Sequence, residues 1–341
     1  MPRPACEGLG AIVPEFKNLR SPEHEVLLEG VRRGQFRAIA RLITLIENGA
    51  TDSADFLREL FPLTGRCFTI GVTGAPGVGK STLVDGLAGH YRQLGLKVGI
   101  IAVDPTSPFT GGAILGDRIR MRSRSLDPGT FIRSMATRGH LGGLSRATGE
   151  VLDVLDAAGF DIVLVETVGV GQDEVEVARA AHATLVLLVP GMGDDVQALK
   201  AGIMEIGDVF VINKADREGA ARTEAELRAL LSMSRRSDGW RPGMVRTVAS
   251  EGAGLQECAR AIEEYRSFLE SSPQRSDRAQ QVQRDRLLEM ARARITEDLL
   301  GGAVCAGLVE ALAAKVAARE TDPYSAVEEL IARYRLGAVG G

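Results

Sequence analysis

The chain has 341 residues, 45% hydrophobic and 25% charged, with 41 basic against 45 acidic side chains for a formal net charge of −4. That length fits one large soluble domain or two moderate ones, and the balance excludes bulk attraction to nucleic acid or an anionic membrane. No run approaches the roughly 18 apolar residues of a membrane helix, and the scattered Cys6, Cys67, Cys258 and Cys305 set aside a disulfide framework or a zinc site.

The first residues, MPRPACEGLGAIVPEF, lack a long apolar core and carry an early Glu, so a cytoplasmic protein without a secretory signal is expected. From 24 to 60 the pattern is helical. Val26, Leu27, Val31, Ile39, Leu42, Ile43 and Ile46 recur at three- and four-residue spacing. Arg32, Arg33, Arg37 and Arg41 fall between them without aromatic interleaving, which favours a solvated face over a nucleic-acid surface. From residue 66 short β-rich runs begin: 68–73, 97–103, 161–166, 184–189, 208–213 and 244–249. Near-continuous apolar strands separated by helices predict an α/β fold with a mostly parallel sheet covered on both faces, whose ligands bind at the carboxyl ends of the strands. Between two of these runs lies PGMGDDVQALK (190–200), unusually rich in glycine and charge for a connection. After the polar break 271–277 the chain is helical again, with a loose apolar stripe through Val282, Leu287, Ala291, Ile295 and Leu299 and an interruption at Gly301-Gly302. A last helix is predicted over 323–335, capped by Asp322 with Pro323 in its first turn. These outer helices either pack on the sheet or form an arm that pairs two subunits. The expected organisation is a helical extension over 1–65, a nucleotide-binding domain over 66–270 and a helical arm over 271–341.

The strongest local signal is Gly74-Ala75-Pro76-Gly77-Val78-Gly79-Lys80-Ser81, followed by Thr82, a complete G-x-x-x-x-G-K-[ST] loop between a strand and a helix. Its glycines let successive N–H groups turn toward phosphate oxygens, with Lys80 expected on the β- and γ-phosphates and Ser81 on Mg²⁺. Three carboxylates stand at strand or loop ends where they face that loop: Asp104, Asp117 and Glu166. Mg²⁺ is commonly held by one or two carboxylates with phosphates and waters, although Asp104 or Asp117 alone reads equally as a helix cap. Asn213-Lys214-Ala215-Asp216 is an N-K-x-D motif after an apolar strand. Asp216 can accept from guanine N1–H and its amine at C2, both absent from adenine, while Asn213 can tie this turn to the phosphate loop and Lys214 can lie along the base. The backbone around Ala249 and Ser250 is the expected remaining contact to the base.

Together "GAPGVGKST", "DPTSPFTGGAILGDRIRM", "FIRSMATRGHLGGLSRAT", "GFDIVLVETVGVGQDEVEVA" and "PGMGDDVQALKAGIMEIGDVFVINKAD" resemble the MeaB/ArgK-type P-loop GTPases over roughly residues 24–335. The resemblance implies a SIMIBI-class P-loop sheet and a homodimer formed through the C-terminal helices. It also implies GTP hydrolysis that gates adenosylcobalamin delivery to an acyl-CoA mutase and protects or reactivates that enzyme; turnover is expected to be slow alone and stimulated by the partner, because no arginine finger is evident in the sequence. Adenosylcobalamin would then be met only through the mutase, and an adenosyltransferase is a further candidate partner. On this match Lys80, Asp104, Glu166 and Lys200 carry the catalytic expectation, Lys200 as part of an additional switch that reads the partner. The family's usual Ser-Ala of the last base loop is Val248-Ala249 here. Two other readings are a small-molecule kinase, which needs an acceptor pocket, and a metal-insertion GTPase, which usually shows a His- or Cys-rich tract.

Overall fold

A computed structural model describes residues 21–50, 52–105, 126–137, 143–167, 180–191, 206–233, 236, 238–272, 275–301 and 307–339. At its centre is a seven-stranded, all-parallel sheet of β1 (Phe68–Gly74), β2 (Val98–Pro105), β3 (Thr130–Thr137), β4 (Ile162–Thr167), β5 (Ala183–Leu188), β6 (Val209–Ile212) and β7 (Gly243–Arg246). Their spatial order is β3-β2-β4-β1-β5-β6-β7. The strand carrying the phosphate loop is therefore central, flanked by the strand that carries Glu166 near its end.

The continuous apolar strands have a simple cause. Successive side chains point to opposite faces, and both faces are covered, so neither parity is polar. Ile70, Val72, Ile100, Leu164 and Leu185 enter one core with α4 (Lys80–Gln93) and α7 (Leu255–Ser271). Ile101, Val103, Val163 and Val165 enter another, against α5 (Gly143–Ala157) and the N-terminal helices. The single helical pattern predicted over 24–60 resolves into α1 (Pro22–Arg32), α2 (Phe36–Glu47) and α3 (Ser53–Leu60), whose Leu28, Ile39, Leu42 and Ile43 are fully buried. The intervening arginines face outward as expected, with the Arg33 and Arg41 side chains 68% and 65% exposed.

One strand was absent from the sequence reading. β3 holds Arg133 and Ser134, which break its apolar run, yet it pairs with β2 over eight positions from Val98↔Thr130 to Pro105↔Thr137. Arg133 is the reason it tolerates an edge position. Its guanidinium binds Glu47 and lies 3.1 Å from the Thr44 hydroxyl, fastening α2 to the sheet edge. The last strand is also shorter than the expected 244–249, because the chain turns away after Arg246.

α6 (Ala220–Met233) packs beside β6, with Leu227 against Val186, Leu188 and Phe210. Beyond the sheet, α8 (Arg275–Gly301), α9 (Leu308–Ala317) and α10 (Pro323–Val339) follow in order. Asp322 caps α10 as predicted, accepting from Tyr324 N at 2.9 Å and Ser325 N at 3.0 Å. α8 touches the body through Arg286, whose guanidinium grips Asp153 of α5 beside Gly149.

Candidate functional site

The carboxyl ends of β1, β2, β4 and β6 converge on one edge, where the phosphate loop, the ends of β2 and β4 and the turn after β6 line a cavity of about 390 Å³, with Gly77, Lys80, Ser81, Val103, Glu166, Thr167 and Lys214 among its walls. A volume in that range is ordinary for a small-molecule site.

The phosphate loop is shaped by close approaches that only glycine permits. Gly74 has φ +139°, and a Cβ there would lie 2.4 Å from the Leu187 carbonyl oxygen. Gly79 has φ +98° and caps α4, presenting the helix's first N–H groups and its positive dipole end to the cavity. Lys80 is 6% exposed. Its ammonium donates to the carbonyls of Gly74 at 2.6 Å and Ala75 at 3.0 Å, which offsets the cost of burying the charge and holds it above the loop.

Ser81 and Glu166 meet across the cavity floor, the serine hydroxyl donating to Oε1 at 2.6 Å. A hydroxyl and a carboxylate in contact make a hard, all-oxygen donor pair, which suits Mg²⁺ with phosphate and water oxygens completing its shell. Asp104 belongs to β2 opposite Ala136, at the same edge. Its side chain, and the whole of Asp117 and Lys200, lie outside the described residues. Beside Glu166, Thr167 is buried with its hydroxyl 3.3 Å from that of Thr73. This strand-end threonine is a wall of the cavity that the sequence reading did not single out.

The N-K-x-D turn is joined to the phosphate loop by two side chains. Asn213 Nδ2 donates to Val78 O at 2.8 Å, and Lys214 Nζ donates to Gly77 O at 2.8 Å. Lys214 has φ +54°, uncommon for a residue with a Cβ and here imposed by the turn. Asp216 is exposed. Discrimination at Asp216 therefore requires the base itself to cover the carboxylate. The Ala249 N–H donates to Asn213 Oδ1 at 3.1 Å, so it is engaged with the turn. Ser250 follows it on the exposed surface.

Against known proteins, residues 39–303 match the model of the family described as methylmalonyl Co-A mutase-associated GTPase MeaB. A Pyrococcus abyssi relative described as a candidate GTPase is 49% identical over 312 residues, 89% of this chain and 95% of its own. The Escherichia coli GTPase ArgK is 39% identical over 285 residues, covering 80% and 85%. The solved structure of a LAO/AO transport system kinase superposes with a TM-score of 0.69 at 26% identity, over 92% of this chain and 98% of that one.

Proposed function

The chain belongs to the family of methylmalonyl-CoA mutase-associated GTPases, MeaB, and from that premise we propose that it uses GTP hydrolysis to gate adenosylcobalamin delivery to a B12-dependent acyl-CoA mutase and to protect or reactivate that enzyme. The observation that carries the reading is the Asn213–Val78 hydrogen bond, which couples a guanine-reading turn to a phosphate loop 135 residues away in sequence. Each end of a guanosine triphosphate then meets a matching group. The backbone of 74–81 and Lys80 receive the phosphates, and Asp216, Lys214 and the loop at Ala249 and Ser250 receive the base. Ser81 and Glu166, with Asp104 and Asp117, would hold Mg²⁺, which supplies positive charge against the β- and γ-phosphate oxygens when bound. The mutase is proposed to be sensed through the loop bearing Lys200.

The division into residues 1–65, 66–270 and 271–341, a homodimer formed through the last part, an adenosyltransferase as second partner and a cytoplasmic location complete the proposal. No helix among the described residues is long and apolar enough to cross a membrane.

The purified protein is expected to hydrolyse GTP slowly, to leave ATP intact, and to accelerate when an adenosylcobalamin-dependent acyl-CoA mutase is added. Lys200→Ala should abolish most of that acceleration while GTP affinity changes by less than about threefold. Equal turnover of ATP would sink the base assignment, and unchanged acceleration would sink the role of Lys200. Transfer of phosphate to an acceptor rather than water would favour the kinase reading suggested by the description of the structural relative.

A further inference from the structure

Asn213 is 2% exposed, so all its hydrogen bonds must come from protein. Its Nδ2 donates to Val78 O at 2.8 Å. Its Oδ1 accepts two donors, Ala249 N at 3.1 Å and the Thr247 hydroxyl at 3.0 Å. Thr247 is itself 1% exposed. An amide N–H cannot accept, so Ala249 sets which end of the Asn213 amide faces away from the phosphate loop. One donor fixes that end but leaves the amide plane able to rock about it. The second donor, from Thr247, holds the plane. Nδ2 packs directly over Gly79, where a Cβ would stand only 2.4 Å from it, so the amide occupies space that a side chain there would take.

The main chain of Thr247 brackets the same turn. Its N–H donates to Ile212 O at 2.9 Å and its carbonyl accepts from Ala215 N at 3.0 Å, one bond on each side of Asn213 and of the left-handed Lys214.

We propose that Thr247 is a positioning residue for guanine-nucleotide binding: its hydroxyl locks the Asn213 amide so that the base-reading turn and the phosphate loop act as one rigid unit. The inference rests on the guanine assignment above and adds a side chain to it. Removing the hydroxyl leaves Asn213 Oδ1 with a single donor where water cannot replace the other. The turn then holds the base and the phosphates at a less fixed separation, which weakens binding of GTP and GDP alike. Once GTP is bound, the groups nearest the γ-phosphate, Lys80 and the Ser81–Glu166 pair, are unaltered.

Thr247→Val tests this with little else changed, since it keeps the volume, the β-branch and both main-chain bonds. On the full-length protein, affinity for a fluorescent N-methylanthraniloyl-GDP and for ADP, steady-state KM and kcat for GTP, and the thermal midpoint are measured. T247V is expected to raise the GDP Kd and the GTP KM roughly five- to twentyfold, with kcat within about twofold, while Thr247→Ser stays within about threefold of wild type. Should T247V prove insoluble, Thr247→Ala against T247S carries the same comparison. GDP binding by T247V as tight as wild type would overturn the inference. So would an equal loss in T247S and T247V, which would assign the effect to methyl packing. A wild-type protein with no preference for GDP over ADP would overturn the guanine assignment and this inference together. A preserved preference with unchanged T247V affinity overturns the inference alone.

Discussion

Gly79 shows how far a single residue is constrained at this site. Its φ of +98° lies in the left-handed region, and a Cβ would fall 2.4 Å from Asn213 Nδ2. The first condition costs an alanine on the order of 1 kcal/mol. The second is the greater loss for function, because relief requires moving the amide that joins the two halves of the site. Gly79→Ala is therefore expected to weaken GDP binding by at least about tenfold while lowering the thermal midpoint by only a few degrees, measured by nucleotide titration and calorimetry. Binding at wild-type strength would show that the amide can move freely. Spacing alone indicated that this glycine belongs to a phosphate loop. Its contact with Asn213 was anticipated only as a tie between the two loops, and Thr247 behind it was not anticipated, since a lone threonine in TVASEGAG carries no periodic signal.

At the scale of elements, the joints are polar even where the cores are apolar. The end of α4 is fixed to the start of β3 by Arg92 and Asp127, with Nε–Oδ2 at 2.8 Å and Nη2–Oδ1 at 3.0 Å, and Asp127 also accepts from Gly129 N at 2.9 Å. These hydrogen bonds, that from Arg92 above all, hold the Asp127 carboxyl down at about 2. A depressed carboxylate pKa stabilises the fold above the unfolded value and loses that contribution as pH falls through the folded one. Wild type should thus exceed Arg92→Met by about 1–2 kcal/mol in urea unfolding from pH 8 to pH 5, the shift being discounted for partial solvent exposure. The margin should shrink between about pH 4 and pH 2, and a margin independent of pH over that range would rule out the ion pair as its source. A second joint explains why the loop before β1 needs no long linker: the Asp156 carboxylate at the end of α5 accepts the N–H groups of Gly65, Arg66 and Cys67 at 2.6, 3.1 and 3.0 Å. Neither joint was legible beforehand, because acidic residues in loops and helix ends read as solvated caps until their partners are known.

For the whole molecule, the C-terminal helices are the part the sheet does not absorb. On α8, Leu288 and Ile295 are 44% and 54% exposed and seven residues apart, hence on one face, and on α10 Tyr324 and Val327 are 84% and 53% exposed. Apolar side chains exposed in this way favour association over isolation in water. With the proposed homodimer, sedimentation should give twice the 36.3 kDa chain mass, and Leu288→Glu combined with Ile295→Glu should return it to one chain without loss of GDP binding. A wild-type monomer at micromolar concentration would reject the arm as a pairing surface.

The sequence by itself determined the phosphate loop, the N-K-x-D turn, the parallel character of the sheet and the cap of the last helix. Each of these is written within a few consecutive residues: glycine where the backbone must curl, apolar runs where both faces are covered, Asp322 before Pro323. Tertiary structure alone decided that Thr130–Thr137 is a strand, since its pairing with β2 and the Arg133–Glu47 contact outweigh a broken apolar pattern. It alone placed Arg286 on Asp153, 133 residues apart, and Thr247 on Asn213, 34 apart. Such contacts depend on the order β3-β2-β4-β1-β5-β6-β7, and that order is fixed by which faces can be buried together.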